Sequence, residues 1–369
     1  MKSLAVIISH PIQYYVPLFK LLAQHYNLKV FYTWGEDGGS TKYDPGFKKT
    51  IAWDLPLLED YEYEFLVNTA KDPGSQHYKG IVNPGLNNAI ETFTPDFILI
   101  YGWAYQSHLS ALRYFKGKIP VLFRGDSTLL DEQKGIKAIL RSLFLKWVYQ
   151  HIDQALYVGT ESKKYFKRFG LQEHQLIFAP HAIDNERFAR DRSEEALTIR
   201  KSLGISTDEI LILFAGKLER KKNPELLLEG FIELCTSVAD RPSLLEGQKT
   251  KHEKQTKLHL LFVGNGELEE SLKSRVESFK LQRSFGSRRS RDRFASDVNP
   301  IAIGSEQVID DELCRTHFMD FQNQTQMPAV YQACDLFCLP SQGPGETWGL
   351  AVNEAMACGK AVLVSDKVG

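Results

Sequence analysis

The sequence has 369 residues, 43% of them hydrophobic and 25% charged, which is typical of a soluble globular chain of about two domains. Because 45 Lys and Arg nearly cancel 46 Asp and Glu, no global field would recruit nucleic acid or anionic lipid, and any anion site must be local. The apolar run at residues 4–8 is too short for a signal peptide, and no stretch reaches the roughly 18 apolar residues of a membrane span. The five cysteines, an odd number without zinc-type spacing, fit a reducing cytoplasm.

In the N-terminal half, short apolar runs alternate with amphipathic segments. Strands are predicted at residues 4–8, 28–32, 97–100, 121–123, 154–158 and 176–178. Helices are predicted at residues 16–25 and 135–149, and in the second of these the apolar residues recur every three or four positions. Strands separated by helix-length segments favour parallel βαβ units over a β sandwich.

The C-terminal half repeats this alternation. Strands are predicted at residues 210–215, 258–263, 336–339 and 361–365, and helices at residues 224–235, 267–279, 327–333 and 349–357. A polar stretch at residues 180–201 interrupts the rhythm. It divides the chain into predicted domains at residues 1–185 and 200–369.

Two polar segments, at about residues 240–257 and 283–314, break the rhythm of the second domain. The second is rich in Arg and Ser, and we expect a mobile or disordered surface insertion there. The alternative is a basic patch that contacts an anionic membrane or a polyanionic acceptor. The last predicted strand ends four residues before Gly369, so we expect the second domain to be incomplete at its C-terminus.

Two glutamates, Glu346 and Glu354, follow the strand predicted at residues 336–339. The Gly/Pro-rich loop between this strand and the next helix is of the kind that presents free backbone N–H groups to phosphate or sugar hydroxyls. Positions eight residues apart share one helix face, so both carboxylates can address one ligand. The alternative is an N-terminal carboxylate favoured by the helix dipole together with a solvated glutamate.

Two further loops follow predicted strands of the same domain. The loop at residues 215–223 places four cations within six residues, enough positive charge to neutralise a diphosphate. The other contains a Gly-Asn-Gly turn at residues 264–266. Basic loops are often merely solvated, but ligands of open α/β sheets bind at the carboxyl ends of the strands. Three such loops in one domain therefore predict a ligand site.

These loops resemble those of family 4 of the retaining glycosyltransferases, which adopt the GT-B fold. The matching stretches are residues 214–223, 261–267, 318–338 and 340–359. The Glu-x7-Glu pair is the family's most telling motif, and Glu346 and Glu354 match it within the expected GxEx(F/W)G context. The resemblance implies an α/β protein of two Rossmann-like domains facing across a cleft, with the acceptor bound by the N-terminal domain and a nucleotide-sugar by the C-terminal domain.

The resemblance also implies roles for individual residues. Glu346 would meet the hydroxyls of the donor sugar and Glu354 the ribose, while two lysines would stabilise the leaving diphosphate. One of them, Lys217, replaces the family's commoner Arg, so that a bidentate fork becomes a point charge. The expected catalytic residues are Lys217, Lys222 and Glu346. The expected donor-binding residues are Gly216, Gly264, Asn265, Gly266, Thr347, Trp348, Gly349, Leu350 and Glu354.

The N-terminal half resembles the family less closely. Residues 9–15 read SHPIQYY and are similar to a subset of relatives with HPIQY at this position. His10 follows the first strand, where an acceptor-side group would face the cleft, although a helix-capping histidine is the alternative. Arg124 and Asp126 follow another strand, and either pair with each other or line the acceptor cleft. Residues 180–184 resemble the family's segment between the domains, and we assign them a structural role.

The resemblance implies a hexosyltransferase-type enzyme that moves a sugar from a nucleotide-sugar to a glycan or lipid-linked acceptor with retention of configuration. Its pathway would be cell-surface polysaccharide or lipopolysaccharide synthesis, and neither a metal nor another cofactor would be required. Such acceptors would favour peripheral association of a cytoplasmic protein with the inner membrane face. The alternatives are a nucleotide-sugar 2-epimerase, a sugar phosphorylase, for which no pyridoxal-phosphate lysine is marked, and a non-catalytic nucleotide-sugar-binding protein.

Overall fold

The computed structural model describes residues 1–38, 41–44, 46–130, 135–239, 256–292, 314–343, 346 and 348–368. The strands described in the N-terminal half are β1 (Ser3–Ile8), β2 (Asn27–Tyr32), β3 (Thr41–Asp44), β4 (Lys49–Ala52), β5 (Glu62–Phe65), β6 (Phe97–Tyr101), β7 (Val121–Arg124), β8 (Gln154–Tyr157) and β9 (Leu176–Phe178). Seven of them form a parallel sheet in the order β5-β2-β1-β6-β7-β8-β9. The remaining two, β3 and β4, pair as an antiparallel hairpin outside this sheet.

Helices cover both faces of the first sheet. They are α1 (Val16–His25), α2 (Leu86–Phe93), α3 (Gln106–Phe115), α4 (Ile136–Tyr149) and α5 (Thr160–Arg168). One buried apolar core lies between the sheet and α2 to α5, and a second lies between the sheet and α1. Because β1 is covered on both faces, its sequence is a continuous apolar run and shows no alternation.

The C-terminal half is built around a second parallel sheet. Its strands are β10 (Ile210–Ala215), β11 (Leu258–Val263), β12 (Cys314–Met319), β13 (Leu336–Leu339) and β14 (Ala361–Val364), in the order β12-β11-β10-β13-β14. Its helices are α6 (Asn185–Ala189), α7 (Ser193–Ser202), α8 (Pro224–Ala239), α9 (Glu269–Asp292), α10 (Met327–Ala333) and α11 (Leu350–Ala357). Helix α6 and all but the last residue of α7 lie within the polar stretch at residues 180–201, and their Phe188 and Ala196 belong to the core of this half. The domain boundaries at residues 185 and 200 stay a prediction.

Every strand predicted from an apolar run is present. The same criterion misses β5 and β12, because both lie at the edge of a sheet and carry charged or polar side chains. It also misses the β3–β4 hairpin, whose sequences contain Lys, Thr and Asp. The strands with a continuous apolar sequence, which include the edge strands β9 and β14, are therefore the predictable ones.

Helix α9 corrects part of the predicted insertion. The helix continues to Asp292, so residues 283–292 are helical, and Cys314 is the first residue of β12. The added residues include Leu, Arg, Gln and Ser but no Pro, so the chain can stay helical beyond the predicted end at residue 279. Residues 240–255 and 293–313 of the two predicted insertions lie outside the described residues.

Two of the five cysteines form a disulfide. Cys235 of α8 and Cys314 of β12 form a disulfide with their Cα atoms 6.0 Å apart, across 79 residues of sequence. Neither the odd count nor the spacing indicated this pair, because a connection over such a separation depends on the fold. Cys334 and Cys338 are buried and unpaired, as the apolar sequence around them indicated.

Candidate active site

A cavity of about 490 Å³ lies between the two halves of the chain. Its walls follow the carboxyl ends of parallel strands, which is the ligand-binding edge of an open α/β sheet. Residues 12–15 follow β1, Gly216 and Lys217 follow β10, and Gly264 follows β11. Glu346 and the start of α11 follow β13. The loops singled out in the sequence therefore meet at one cavity, together with residues of the N-terminal half.

Lys222 and Glu346 form an ion pair on the C-terminal wall. The Nζ of Lys222 lies 2.5 Å from Oε2 of Glu346, and both side chains are largely buried. The hydroxyl of Ser341 donates to the same carboxylate oxygen at 3.1 Å. The backbone N–H of Gln342 donates to the carbonyl of Lys221 at 2.9 Å, so the loop after β13 is held against the loop after β10. The two predicted catalytic side chains are thus placed side by side.

Lys217 is paired across the cavity with a residue that the sequence did not single out. Its Nζ lies 2.9 Å from Oδ1 of Asp44, at the end of β3, and 5.1 Å from the ring centroid of Phe47. Burial alone would raise the pKa of Asp44. The hydrogen bond and charge of Lys217, with the backbone N–H groups of Gly46 and Phe47, outweigh it and lower this pKa. Asp44 is therefore an ionised carboxylate, and it pairs with the lysine to which the resemblance assigns the donor diphosphate.

The β3–β4 hairpin reaches Lys217 because it docks on the loop that follows β12. Lys49 pairs with Asp320 at 2.7 Å, and the ring of Phe47 lies 4.8 Å from that of Phe321 in an edge-to-face contact. The side chain of Asp54 accepts hydrogen bonds from the backbone N–H and the hydroxyl of Thr325. One wall of the cavity is therefore a polar and aromatic contact between the two halves.

Glu354 is buried, which excludes the solvated glutamate considered from the sequence. Only 3% of the residue is exposed, and its Oε2 accepts a hydrogen bond of 2.7 Å from the hydroxyl of Tyr331. Burial raises the pKa of Glu354 to about 7, against smaller lowering effects of Tyr331, Arg187 and Tyr14. Its Oε1 has no hydrogen-bond partner among the described residues. Glu354 lines the cavity beside Tyr14, whose hydroxyl also interacts with this carboxyl.

The predicted glycine-rich donor loops separate into two groups. Gly216 and Gly264 line the cavity, and a Cβ on Gly264 would lie 2.2 Å from the carbonyl oxygen of Gly216. Asn265 and Gly266 do not line it. Asn265 instead bonds the side chains of Glu269 and Asp320 and the backbone N–H of Phe321, which fixes the loop after β12. Gly266 packs so closely on the backbone of Leu218 that a Cβ would lie 2.4 Å from its carbonyl oxygen.

The beginning of α11 completes the C-terminal wall. Trp348, Gly349 and Leu350 line the cavity, while Thr347 lies outside the described residues. The indole N–H of Trp348 donates to the side chain of Asn353 at 2.8 Å, which orients the ring within the first turn of the helix. Gly349 has a φ of 77°, a left-handed conformation that glycine adopts readily where the loop enters the helix.

The acceptor-side residues do not all face this cavity. Asp126 lines it, but His10 and Arg124 do not. His10 bonds the hydroxyl of Ser9 at 2.9 Å and packs edge-on against Trp34 at 5.4 Å. His10 therefore does not face this cavity, whereas residues 12–15 do, and its acceptor-side role stays a prediction.

Arg124 is buried and positions the segment that follows β9. It donates to the carbonyls of Ala179 and Pro180 at 2.8 and 3.3 Å, and lies 3.5 Å from Nδ1 of His181. His181 lines the cavity, 5.8 Å from the ring of Trp348. Burial, followed by the charge of Arg124, lowers the pKa of His181 to about 4, so this ring is neutral at physiological pH. The sequence assigned His181 only a structural role.

A second cavity of about 670 Å³ adjoins the first. The two share Glu346 and Trp348. The rest of the second cavity belongs to the N-terminal half and follows β7, β8 and β9, with the wall residues Thr128, Leu130, Tyr157, Val158, Gly159, Thr160, Glu161, Ser162, Lys163 and Phe178. Glu346 and Trp348 therefore lie between the two cavities. The first cavity is walled mainly by loops of the C-terminal half, and the second by the N-terminal sheet.

The C-terminal half matches a known family. Residues 195–286 and 312–369 fit the family model described as glycosyl transferases group 1. D-inositol 3-phosphate glycosyltransferase 2 of Catenulispora acidiphila is 24% identical over 205 residues, which are 56% of this chain and 38% of that protein. The D-inositol 3-phosphate glycosyltransferase of Geodermatophilus obscurus is 24% identical over 207 residues, or 56% and 36%. The chain thus spans little more than a third of the length of these curated relatives.

Solved structures share the fold along the whole chain. HepE of Anabaena, solved with UDP and glucose, has a TM-score of 0.57 at 16% identity, over 100% of this chain and 82% of that one. A glycosyltransferase of Rickettsia africae has a TM-score of 0.59 at 13% identity, over 100% and 80%. These similarities confirm the predicted α/β, GT-B arrangement of two Rossmann-like domains. Beside this shared fold, residues 195–286 and 312–369 of the chain are similar to the glycosyl transferases group 1 family.

Proposed function

We propose that the protein transfers a sugar from a nucleotide-sugar to a glycan or lipid-linked acceptor, with retention of configuration. The observation that carries this proposal is the side-by-side placement of Lys222 and Glu346, 2.5 Å apart on one cavity wall. In a nucleotide-sugar, the anomeric carbon is bonded directly to a phosphate oxygen. A cation for that phosphate and a carboxylate for the sugar hydroxyls must therefore be neighbours, as these two side chains are.

The remaining charged groups fit the rest of such a donor. Lys217 supplies a second cation for the diphosphate once Asp44 is displaced from it. The unpartnered Oε1 of Glu354 suits a ribose hydroxyl, which would satisfy a buried acceptor. Gly216 and Gly264 leave the cavity floor without side chains, so a diphosphate can approach the backbone closely.

The chemistry then needs only the two substrates. The bond between the anomeric carbon and the phosphate oxygen breaks, and its electron pair leaves with the nucleoside diphosphate, stabilised by Lys217 and Lys222. The acceptor hydroxyl bonds to the anomeric carbon on the same face, and its proton passes to the departing phosphate oxygen. We expect no metal requirement, because the two ammonium groups supply the positive charge that a metal supplies elsewhere.

The second cavity supports transfer over 2-epimerisation. An epimerase converts its nucleotide-sugar without an acceptor, whereas here a further space of about 670 Å³ opens on the far side of Glu346 and Trp348. We assign this space to the acceptor. We further propose that the protein acts in the cytoplasm at the inner membrane face, in the synthesis of a surface polysaccharide or lipopolysaccharide, where nucleotide-sugars and lipid-linked saccharides meet.

A donor screen by thermal unfolding tests the first step. UDP-, GDP- and ADP-sugars are added in turn, and the matching donor at a hundred times its Kd should stabilise the protein by about 2.7 kcal/mol. The stabilising donor is then incubated with and without lipid-linked saccharide, in the presence of a chelator. A glycosylated product and free nucleoside diphosphate that both depend on the acceptor support the proposal. Formation of the 2-epimer without acceptor, or no stabilisation by any donor, contradicts it.

A further inference from the structure

Helix α4 exposes a continuous apolar face. Its large side chains Ile136, Ile139, Leu140, Leu143 and Phe144 are between 40% and 78% exposed. Their spacing of three and four residues places all five on one side of the helix. The opposite side carries Leu145, Val148 and Tyr149, which are buried against the first sheet. The apolar residues whose spacing predicted this helix therefore lie largely on its exposed face.

This face is unusual for the molecule. No other helix in the described residues exposes more than two large hydrophobic side chains, and α8, with Leu226 and Leu234, comes nearest. Scattered exposed apolar residues are normal on soluble proteins, but a contiguous apolar patch marks an interaction surface.

The charges beside the patch indicate what it binds. Lys137 and Lys146 are exposed on the two flanks of α4, whereas Arg141 lies nearer the buried side and donates to the hydroxyl of Tyr165 at 3.2 Å. The helix contains no Asp or Glu, although the whole chain has a net charge of −1. A second copy of the chain would bring the two flanking lysines of each helix toward those of the other, with no acid on either helix to offset them. An anionic surface meets no such repulsion.

We propose that α4 is the surface with which the protein binds an anionic membrane. The apolar face lies in the boundary between head groups and acyl chains, and Lys137 and Lys146 contact lipid phosphates. With 14 residues, α4 is about 21 Å long, too short to cross a hydrocarbon core of about 30 Å. None of the helices in the described ranges is long and apolar enough for a membrane span.

The position of α4 connects this surface with the second cavity. Leu130, the last described residue before Gly135, is half exposed and lines that cavity together with Glu346 and Trp348. A protein lying on α4 therefore holds the proposed acceptor site close to the lipid surface. This link rests on the proposed function, whereas membrane binding by α4 does not require it.

Vesicle sedimentation without any donor tests the inference. The wild-type protein should bind phosphatidylcholine vesicles that contain about 30% phosphatidylglycerol, and its partition should fall on neutral phosphatidylcholine. The double variant Ile139→Ser/Leu143→Ser should lose at least about tenfold in partition, and Lys137→Ala about fivefold. The control Leu226→Ser/Leu234→Ser, which removes two exposed leucines from α8, should bind like wild type. All of these positions are exposed, so we expect native unfolding temperatures.

Three results would overturn the inference. They are a wild type that stays in the supernatant, an α4 variant that binds like the α8 control, and self-association of the wild type in solution that the α4 double variant abolishes. Donor stabilisation is measured on the same samples and separates the two proposals. Vesicle binding through α4 without donor stabilisation would leave this inference standing while the proposed function fails.

Discussion

The two sides of the candidate donor cavity are built in different ways. On the C-terminal side, short loops after β10, β11 and β13 hold Gly216, Gly264 and Glu346, and hydrogen bonds between neighbouring loops fix them. On the N-terminal side, Asp44 and Tyr14 reach the cavity from a hairpin and from a loop after β1. The first side is one continuous wall of a single sheet edge, whereas the second depends on how the two halves meet.

This difference separates donor recognition from access to the donor site. The ion pair of Lys222 with Glu346 is internal to the C-terminal half and persists however the halves are arranged. The ion pair of Lys217 with Asp44 joins the two halves and occupies a cation that the proposed diphosphate needs. Substitution of Lys222 should therefore affect the rate of transfer, whereas substitution of Asp44 should mainly affect donor affinity.

The largest effect is expected from Lys222→Ala. Removing this cation from the leaving diphosphate should lower kcat by about a hundredfold to a thousandfold. The measurement is acceptor-dependent release of nucleoside diphosphate. Lys201→Ala, at an exposed site on α7 outside the cavity, is the matched control and should retain wild-type activity.

The unfolding temperature of Lys222→Ala must be measured alongside its activity, because the substitution leaves the largely buried Glu346 without its ion-pair partner. Lys222→Arg keeps the positive charge and should recover part of the rate. If Lys222→Ala keeps a native unfolding temperature and a kcat within about twofold of wild type, Lys222 does not stabilise the leaving diphosphate. Its ion pair with Glu346 then has only a structural role.

Glu354 provides the second test, through pH. Its pKa of about 7 in the folded protein exceeds the value of about 4.5 expected when unfolded, so the folded state holds a proton that the unfolded state has lost between these pH values. The contribution of Glu354 to the free energy of unfolding should therefore fall by about 3 kcal/mol as pH rises from 4.5 to above 7. Tyr331, Tyr14, Arg187 and Cys358 all face the carboxyl, so Glu354→Gln is needed to isolate its contribution.

Donor binding should show the opposite trend. If the ribose hydroxyls donate to Glu354, they favour the ionised carboxylate, and donor affinity should rise by up to about tenfold per pH unit on approach to pH 7. Calorimetric titration at pH 6 and pH 8 measures this effect, with Glu354→Gln as the pH-independent control. Equal pH dependence in both proteins would place the donor away from Glu354.

The sequence predicts the C-terminal wall better for a physical reason. Its strands are buried on both faces, so they are continuous apolar runs, and the loops after them contain Gly, Lys and Glu in short motifs. Asp44 meets Lys217 across 173 positions of sequence, from a hairpin with no apolar run, and no local pattern encodes that contact. The apolar period of α4 is visible in the sequence, but a period alone does not show whether the face packs inward or outward.

Asp44→Ala tests whether the N-terminal side restricts donor entry. The pair with Lys217 is about one third exposed on both sides and is worth about 1 kcal/mol, so its removal should tighten donor binding by about fivefold. Asp54→Ala is the control, because it removes another carboxylate that binds the second half, through Thr325, without contacting Lys217. Equal tightening in both variants would indicate that separation of the halves, and not competition for Lys217, controls donor affinity.

The smallest effect is expected at His10. This side chain follows β1, as an acceptor-side group should, but it bonds Ser9 and packs on Trp34 away from the cavity. His10→Ala should therefore change kcat/KM for the acceptor by less than about twofold, while His181→Ala, at a cavity-lining position beside Trp348, should change it more. The pKa of His181 is about 4, so neither variant should shift the pH profile of transfer above about pH 6 through loss of that ring. A loss of activity in His10→Ala larger than that in His181→Ala would mean that the halves rearrange during catalysis and bring the loop after β1 into the acceptor site.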